Sequence, residues 1–351
     1  MLTPPSSPGL AFYVSAAPNV HPDLSLGSLR NRLRYVALAL KYGGQLTAYL
    51  RRPAQRALAR ELVVRPELMG YMMWPYIHAR WPVMQRFKTL SQHHQAMESD
   101  MAALSVSPTD SLVVADLSKL CAGLRLVIDR PPWVLREGSL MLSQFLHDER
   151  LMSLAFSFGC KDGERVAYVG SVQGVKAGSA LADYRELAKK LYGMRSRDFL
   201  IKAFQHLAHH LGVKRVLCVG EQVRHHRHPY FGRSKLDDLH LNYDTVWHEH
   251  AGVRTEDGLF QLDPLPKVRR MEDIAAKNRS LYRHRYAMMD QLSANIAARL
   301  GFDSVQTFAG EIDPLMGMST ARGGEEAVPV GPPGIAPRPV ASEIRGGSRA
   351  T

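Results

Sequence analysis

Between residues 136 and 252 the chain runs through an order of segments that few folds accept: three strands, an amphipathic helix and a fourth strand. The strand-length segments are 138–146, 151–158 and 165–172, each rich in Leu, Val and Phe. His147-Asp148-Glu149 and Lys161-Asp162-Gly163 separate them, and the second is a hairpin signal. An antiparallel meander is the simplest arrangement. The helix over 197–211 places Leu200, Phe204, Leu207 and Leu211 on one stripe, and Gly212 ends it. A strand at 215–219 follows, and a helical crossover makes it parallel to the strand ending at Val172.

The flanking segments read differently. Residues 1–28 hold five prolines among Ser and Gly and are expected to form a disordered arm. Residues 29–110 are expected to form a helical subdomain. In it Leu33, Val36, Ala37 and Leu40 recur at helical spacing, Gly43-Gly44 stops that helix, and Pro82 opens another carrying Phe87, Leu90 and His93-His94. Residues 111–300 are expected to form the sheet domain, closed by a long helix from 270 to 300. The Gly/Pro-rich stretch 301–351 reads as a flexible tail. The fold class expected is α+β: a mixed, mostly antiparallel sheet flanked by helices, with an N-terminal helical subdomain.

A formal charge of +12 over 351 residues favours an acidic partner but selects none. Cys121, Cys160 and Cys218 form no CxxC pair, which suits a reducing compartment. No apolar run is long enough for a membrane span, and no Lys or Arg precedes the short apolar patch at 9–17. The expected location is the cytoplasm.

Four constellations carry candidate chemistry. Lys190, Gly193, Arg195 and Arg197 sit at a helix start, where unpaired amides and mobile cations suit phosphate. Arg224-His225-His226-Arg227-His228-Pro229-Tyr230 offers proton relays in His225 and His228 and a proton donor in Tyr230. Tyr243, Asp244 and Glu249 lie near Trp247 and Gly252, which read as core and turn. Arg279, Arg283 and Arg285 alternate with Tyr282 and Tyr286 on a basic helix. The histidines have neither a neighbouring cysteine nor the glutamate of an HExxH pattern, so no metal site is assigned. Arg and Tyr interleave without a recognised nucleic-acid module, so nucleic acid is not the expected partner.

These residues carry a resemblance. Arg136-Glu137-Gly138, Gly170-Ser171-Val172-Gln173-Gly174, Leu191-Tyr192-Gly193-Met194-Arg195, the Tyr243-to-Gly252 group and Lys277-to-Tyr286 together resemble the VirK/YbjX family over about residues 30 to 300. That family implies a bacterial setting of virulence, envelope integrity and antimicrobial-peptide resistance. It implies no reaction. The element order is also similar to that of GNAT acyltransferases, whose Arg/Gln-x-x-Gly-x-Gly/Ala loop holds a pyrophosphate. Here the loop is Lys190-x-x-Gly193-x-Arg195, with a cation where the last glycine stands.

What this likeness implies is an acyltransferase that moves an acyl group from a phosphopantetheine thioester, on a carrier protein or coenzyme A, to an amine or hydroxyl. Gln173 and Gly174 would flank the cleft; Lys190, Gly193, Arg195 and Arg197 would hold the phosphate. His225 or His228 would act as base, and Tyr230 would assist thiolate departure. No resident cofactor is expected. The alternative is a non-catalytic accessory that binds an anionic envelope component through Arg279, Arg283 and Arg285. A sheet that parts beyond Val172, with a tunnel pointing at Arg195, is the geometric mark of the enzyme reading.

Overall fold

In a computed structural model the protein is described over residues 8–175, 177–232 and 241–301. The expected tail at 302–351 and the first seven residues of the expected arm lie outside that range. The described residues fall in one compact unit, the N-terminal helical part included.

Among the described residues eight strands make one sheet: β1 Ser111–Asp116, β2 Leu124–Asp129, β3 Leu140–Leu146, β4 Glu149–Lys161, β5 Glu164–Gly174, β6 Arg215–Val219, β7 Val253–Arg254 and β8 Leu259–Leu262. Their order is β1-β2-β3-β4-β5-β6-β8-β7. The sheet is antiparallel except for β5 and β6, which run parallel. The meander is therefore five strands long, two more than the 138–172 segments suggest. Asp162 and Gly163 link β4 to β5 with φ of 55° and 79°. Two positive φ values in a two-residue loop match the right-handed twist of the strands, so the Asp-Gly hairpin signal holds.

Nine α-helices are described: α1 Leu10–Ser15, α2 Ala17–Val20, α3 Leu26–Leu50, α4 Arg56–Val64, α5 Val83–Glu98, α6 Ala177–Lys190, α7 Ser196–His210, α8 Tyr243–Glu249 and α9 Ala276–Leu300. Residues 8–28 differ from the expected disordered arm. Tyr13 is fully buried, its hydroxyl donates to the Pro8 carbonyl, and Tyr35 donates in turn to the Tyr13 carbonyl. Nor do Gly43-Gly44 stop α3. A side chain at Gly43 would meet Leu10 at 2.7 Å and Tyr13 at 3.3 Å, so the glycine lets α1 approach.

Two consequences position the site. First, α7 covers one face of the sheet, with Phe204 packed 4.8 Å from Phe156 of β4. The neighbouring Ser157 faces the other way, where Tyr76 bonds both Ser139 and Ser157 at 2.6 and 2.7 Å. Second, the segment around Tyr76 is stitched to the sheet's far end: the Ile77 amide donates to the Arg136 carbonyl, and that of Ala79 to Val223. The helical N-terminal part is therefore bonded to the segments that flank the site.

Candidate functional site

The sheet parts where β5 outruns β6. Pairing covers Val166 to Val169 against Arg215 to Cys218, and β5 then continues to Gly174 paired with β4 only. At the same point β5 carries a bulge, because Phe156 faces Val169 and Ala155 faces Ser171, leaving Gly170 as an extra residue. A side chain at Gly170 would run into the Glu137 carbonyl. The chain entering β3 thus presses its backbone against the bulge, which only glycine permits. Crevices at the carboxyl ends of parallel strands, where connections diverge, are recurrent ligand sites.

Glu137 lies beside this parting, next to Ser171 of β5. It is buried, and its carboxylate accepts a hydrogen bond from Ser171 at 2.7 Å. Its other oxygen lies 3.5 Å from Nε2 of His225. Burial pushes the Glu137 carboxyl up to about 7, with Ser171, Arg224 and Arg136 pulling the other way. Burial, together with His226, Arg136 and Arg224, lowers His225 to about 2. Of the pair, Glu137 is therefore the group that takes and gives a proton near neutral pH, while the imidazole stays neutral.

Arginines surround the pair. Arg224 lies 3.8 Å over the Tyr243 ring and pairs with Glu221 at 3.2 Å. Arg136 lies 4.6 Å over Trp74 and also faces Tyr230 and Phe231. Glu137, His225 and His226 bring one ligand atom each to within 4.8 Å of one another. A carboxylate with two imidazoles is a donor set a divalent ion accepts. The two rings lie 3.7 Å apart between centroids with their planes tilted by 41°. The same three groups are also acid–base groups that can take or give a proton.

The expected tunnel is closed. Tyr243, at the start of α8 and fully buried, fills the parting: the Val172 amide donates to its hydroxyl at 3.0 Å, and that hydroxyl lies 3.1 Å from the Val172 carbonyl. Trp247, on the same helix, donates to the Val219 carbonyl at 2.7 Å and is core, as its sequence suggests. The physical reason is that main-chain groups exposed by the parting must find partners, and α8 supplies them.

The other expected residues scatter. His228 accepts the Tyr230 amide through Nδ1 and meets Arg86 through Nε2, and burial with Arg86 lowers it to about 4. The Tyr230 ring packs near Trp74, His21 and Phe231. Neither therefore joins Glu137. Asp244 accepts the Glu221 amide at 2.6 Å, a structural role. Arg197 is held by Asp198 and by Glu249, so it is not a mobile cation. Gln173 and Gly174 are exposed at the end of β5.

The Gly193 loop follows α6, a helix absent from the sequence reading, and so joins two helices where a strand end had been expected. Lys190 and Arg195 are exposed there. Arg285 of α9 donates to the Tyr192 carbonyl at 2.7 Å, and His284 stacks on Tyr192 at 5.2 Å. Two basic segments separate in sequence thus form one surface, which Arg283 extends while Arg279 is tied to the Ile274 carbonyl. Sequence reasoning gave Glu137 and Ser171 only as motif residues and Arg224 only as part of a basic run, and it missed Glu221. The available signal was a lone acid in Arg136-Glu137-Gly138 immediately before an apolar strand.

A family described as a protein of unknown function (DUF535) matches residues 25–298. An uncharacterized protein of Haemophilus influenzae is 29% identical over 150 residues, 43% of this chain and 48% of that protein. Uncharacterized protein YbjX of Escherichia coli is 23% identical over 245 residues, 67% of this chain and 73% of that protein. The similarity thus spans about half the length of the Haemophilus relative. No solved structure matches.

Proposed function

The chain belongs to the DUF535 family, the VirK/YbjX proteins, and from its own geometry we propose that it is an acyltransferase with Glu137 as general base. The observation that carries this reading is a buried carboxyl raised to about 7, set 3.5 Å from a neutral imidazole where β5 leaves β6. A base poised near the working pH is what proton abstraction in the transition state requires. The parallel pair, the bulge at Gly170 and the crossover between β5 and β6 also support a GNAT-like strand arrangement.

In this mechanism the acceptor amine or hydroxyl attacks the thioester carbonyl while Glu137 takes its proton. His225 orients the carboxylate. The carbon–sulfur bond then breaks, and the proton goes to the departing thiolate. The donor is an acyl-phosphopantetheine, on a carrier protein or coenzyme A, its phosphate facing Lys190 and Arg195. Entry requires Tyr243 to leave Val172, whose amide and carbonyl then meet the pantetheine arm.

Donor-dependent thiol release is the test. Purified protein is incubated with acyl-coenzyme A and acyl-carrier donors and a panel of amine and hydroxyl acceptors. Release that Glu137→Gln abolishes, with unchanged circular dichroism and no sensitivity to a chelator, supports the reading. No release from any donor sinks it, and chelator-sensitive release assigns the cluster to a metal instead.

A second reading, an accessory that binds an anionic partner without catalysis, is favoured by one observation. The slot is shut by Tyr243, while Arg283, Lys190 and Arg195 stand exposed. Binding to an anionic partner that survives Glu137→Gln and is lost on Arg283→Gln supports this reading.

A further inference from the structure

Helix α3 turns outward an apolar face that nothing among the described residues covers. Leu26, Leu33 and Leu40 are 87%, 73% and 60% exposed, and Leu29 is 42% exposed. At about 100° per residue the four leucines fall within roughly 60° of arc. The side that meets the core is a different one, built from Tyr35, Ala39, Leu46 and Leu50. The helix therefore has two apolar faces, of which folding uses one. A contiguous exposed stripe of this kind marks an interaction surface.

Charge says what the surface fits. Arg30, Arg34 and Lys41 are exposed and line one edge of the stripe, roughly 60° to 100° from Leu33 on the same wheel. Leu26–Leu50 contains no Asp or Glu. A second copy of the chain pairing through this face would bring cations to the seam with no acid on α3 to meet them. Anionic headgroups neutralise them directly. We propose that α3 is an interfacial anchor that lies in the plane of an anionic lipid bilayer. Its leucines enter the acyl boundary, and Arg30, Arg34 and Lys41 sit at the phosphates. The stripe from Leu26 to Leu40 runs about 21 Å, enough for one helix lying flat.

The experiment is co-sedimentation of the full chain with vesicles of phosphatidylglycerol mixed with phosphatidylethanolamine, and with phosphatidylcholine vesicles. Binding to the anionic vesicles is expected. Leu33→Gln with Leu40→Gln should weaken it about tenfold or more. Arg30→Gln with Arg34→Gln, or added salt, should weaken it as well. All four side chains are exposed, so circular dichroism should be unchanged, and thiol release in solution should be unaffected. That last readout separates failure of this anchor from failure of the acyl-transfer reading. Three results would overturn the proposal: no anionic binding, binding indifferent to the leucine pair but lost on Arg283→Gln, or self-association that the leucine pair abolishes.

Discussion

The hydroxyl of Tyr243 meets both main-chain groups of Val172, 71 residues earlier, the amide nitrogen at 3.0 Å and the carbonyl oxygen at 3.1 Å. One side chain thereby seals the place where β5, still paired with β4, has no partner on its β6 side. Tyr243→Phe leaves two buried polar groups without this partner and should destabilise the fold by about 1–3 kcal/mol. If the slot admits a pantetheine arm, the same change frees Val172 and lowers the KM for donor. Urea unfolding and donor titration measure the two effects, and an unchanged KM with lost stability would leave Tyr243 a purely structural plug.

Glu137 and His225 shift in opposite directions, and their linkage has opposite signs. Glu137 titrates near 7 in the fold against about 4.3 in an unfolded chain, so its contribution to stability falls as pH rises between those values. His225 is neutral in the fold down to about 2, so its contribution rises with pH up to about 6.5. In the parent the two slopes largely cancel between about pH 4.5 and 6.5. Glu137→Gln removes only the falling slope. The stability of the variant relative to the parent should therefore climb by about 3 kcal/mol from pH 4.5 to 7. Denaturant unfolding across that range checks it; a flat difference would mean Glu137 is not shifted.

Activity should report the same carboxyl. With Glu137 as base, thiol release should rise with pH through an apparent pKa near 7. Ser171 lowers that value through its hydrogen bond. Ser171→Ala should move the midpoint upward while the profile keeps its shape.

Two glycines should respond oppositely to alanine. At Gly170 a methyl group meets the Glu137 backbone, including Cα at 3.0 Å, so Gly170→Ala should cost about 3 kcal/mol and disturb the crevice. At Gly44 nothing lies within 4 Å, and the residue is interior to α3. Gly44→Ala should stabilise by up to about 1 kcal/mol. Thermal or urea unfolding of the pair distinguishes a packed glycine from a merely flexible one.

Arg285 holds the Gly193 loop from across the fold through its bond to Tyr192. Tyr192 and Gly193 adopt positive φ of 53° and 76°, so the loop depends on outside support. Arg285→Met should speed amide exchange at residues 191–195 and destabilise by about 1–2 kcal/mol. Exchange confined to the chain ends of α9 would show that the loop supports itself.

Period and punctuation made much of this architecture legible. The strands at 138–172, the Asp162-Gly163 hairpin, α7 and β6 all follow from local rules: alternation, a turn with two positive φ values, a leucine stripe and a terminating glycine. The family resemblance rested on motif residues and needed no coordinates. Where local rules failed, a distant contact had intervened. Gly43 looks like a helix stop, yet it is the point where α1 rests on α3. Residues 8–28 look unstructured by composition, yet Tyr13 and Tyr35 pin them.

The site depended on distance even more strongly. The sequence by itself determined the run β3, β4, β5, α7 and β6, the basic character and the lone acid in front of β3. It could not join Glu137 to Ser171 and His225, close the parting with Tyr243, or bring Arg285 to Tyr192. Each of those pairings is set by how β5 bulges and how the helices pack. The role of a carboxyl follows from its burial and its neighbours, and those are properties of the folded chain rather than of any segment of it.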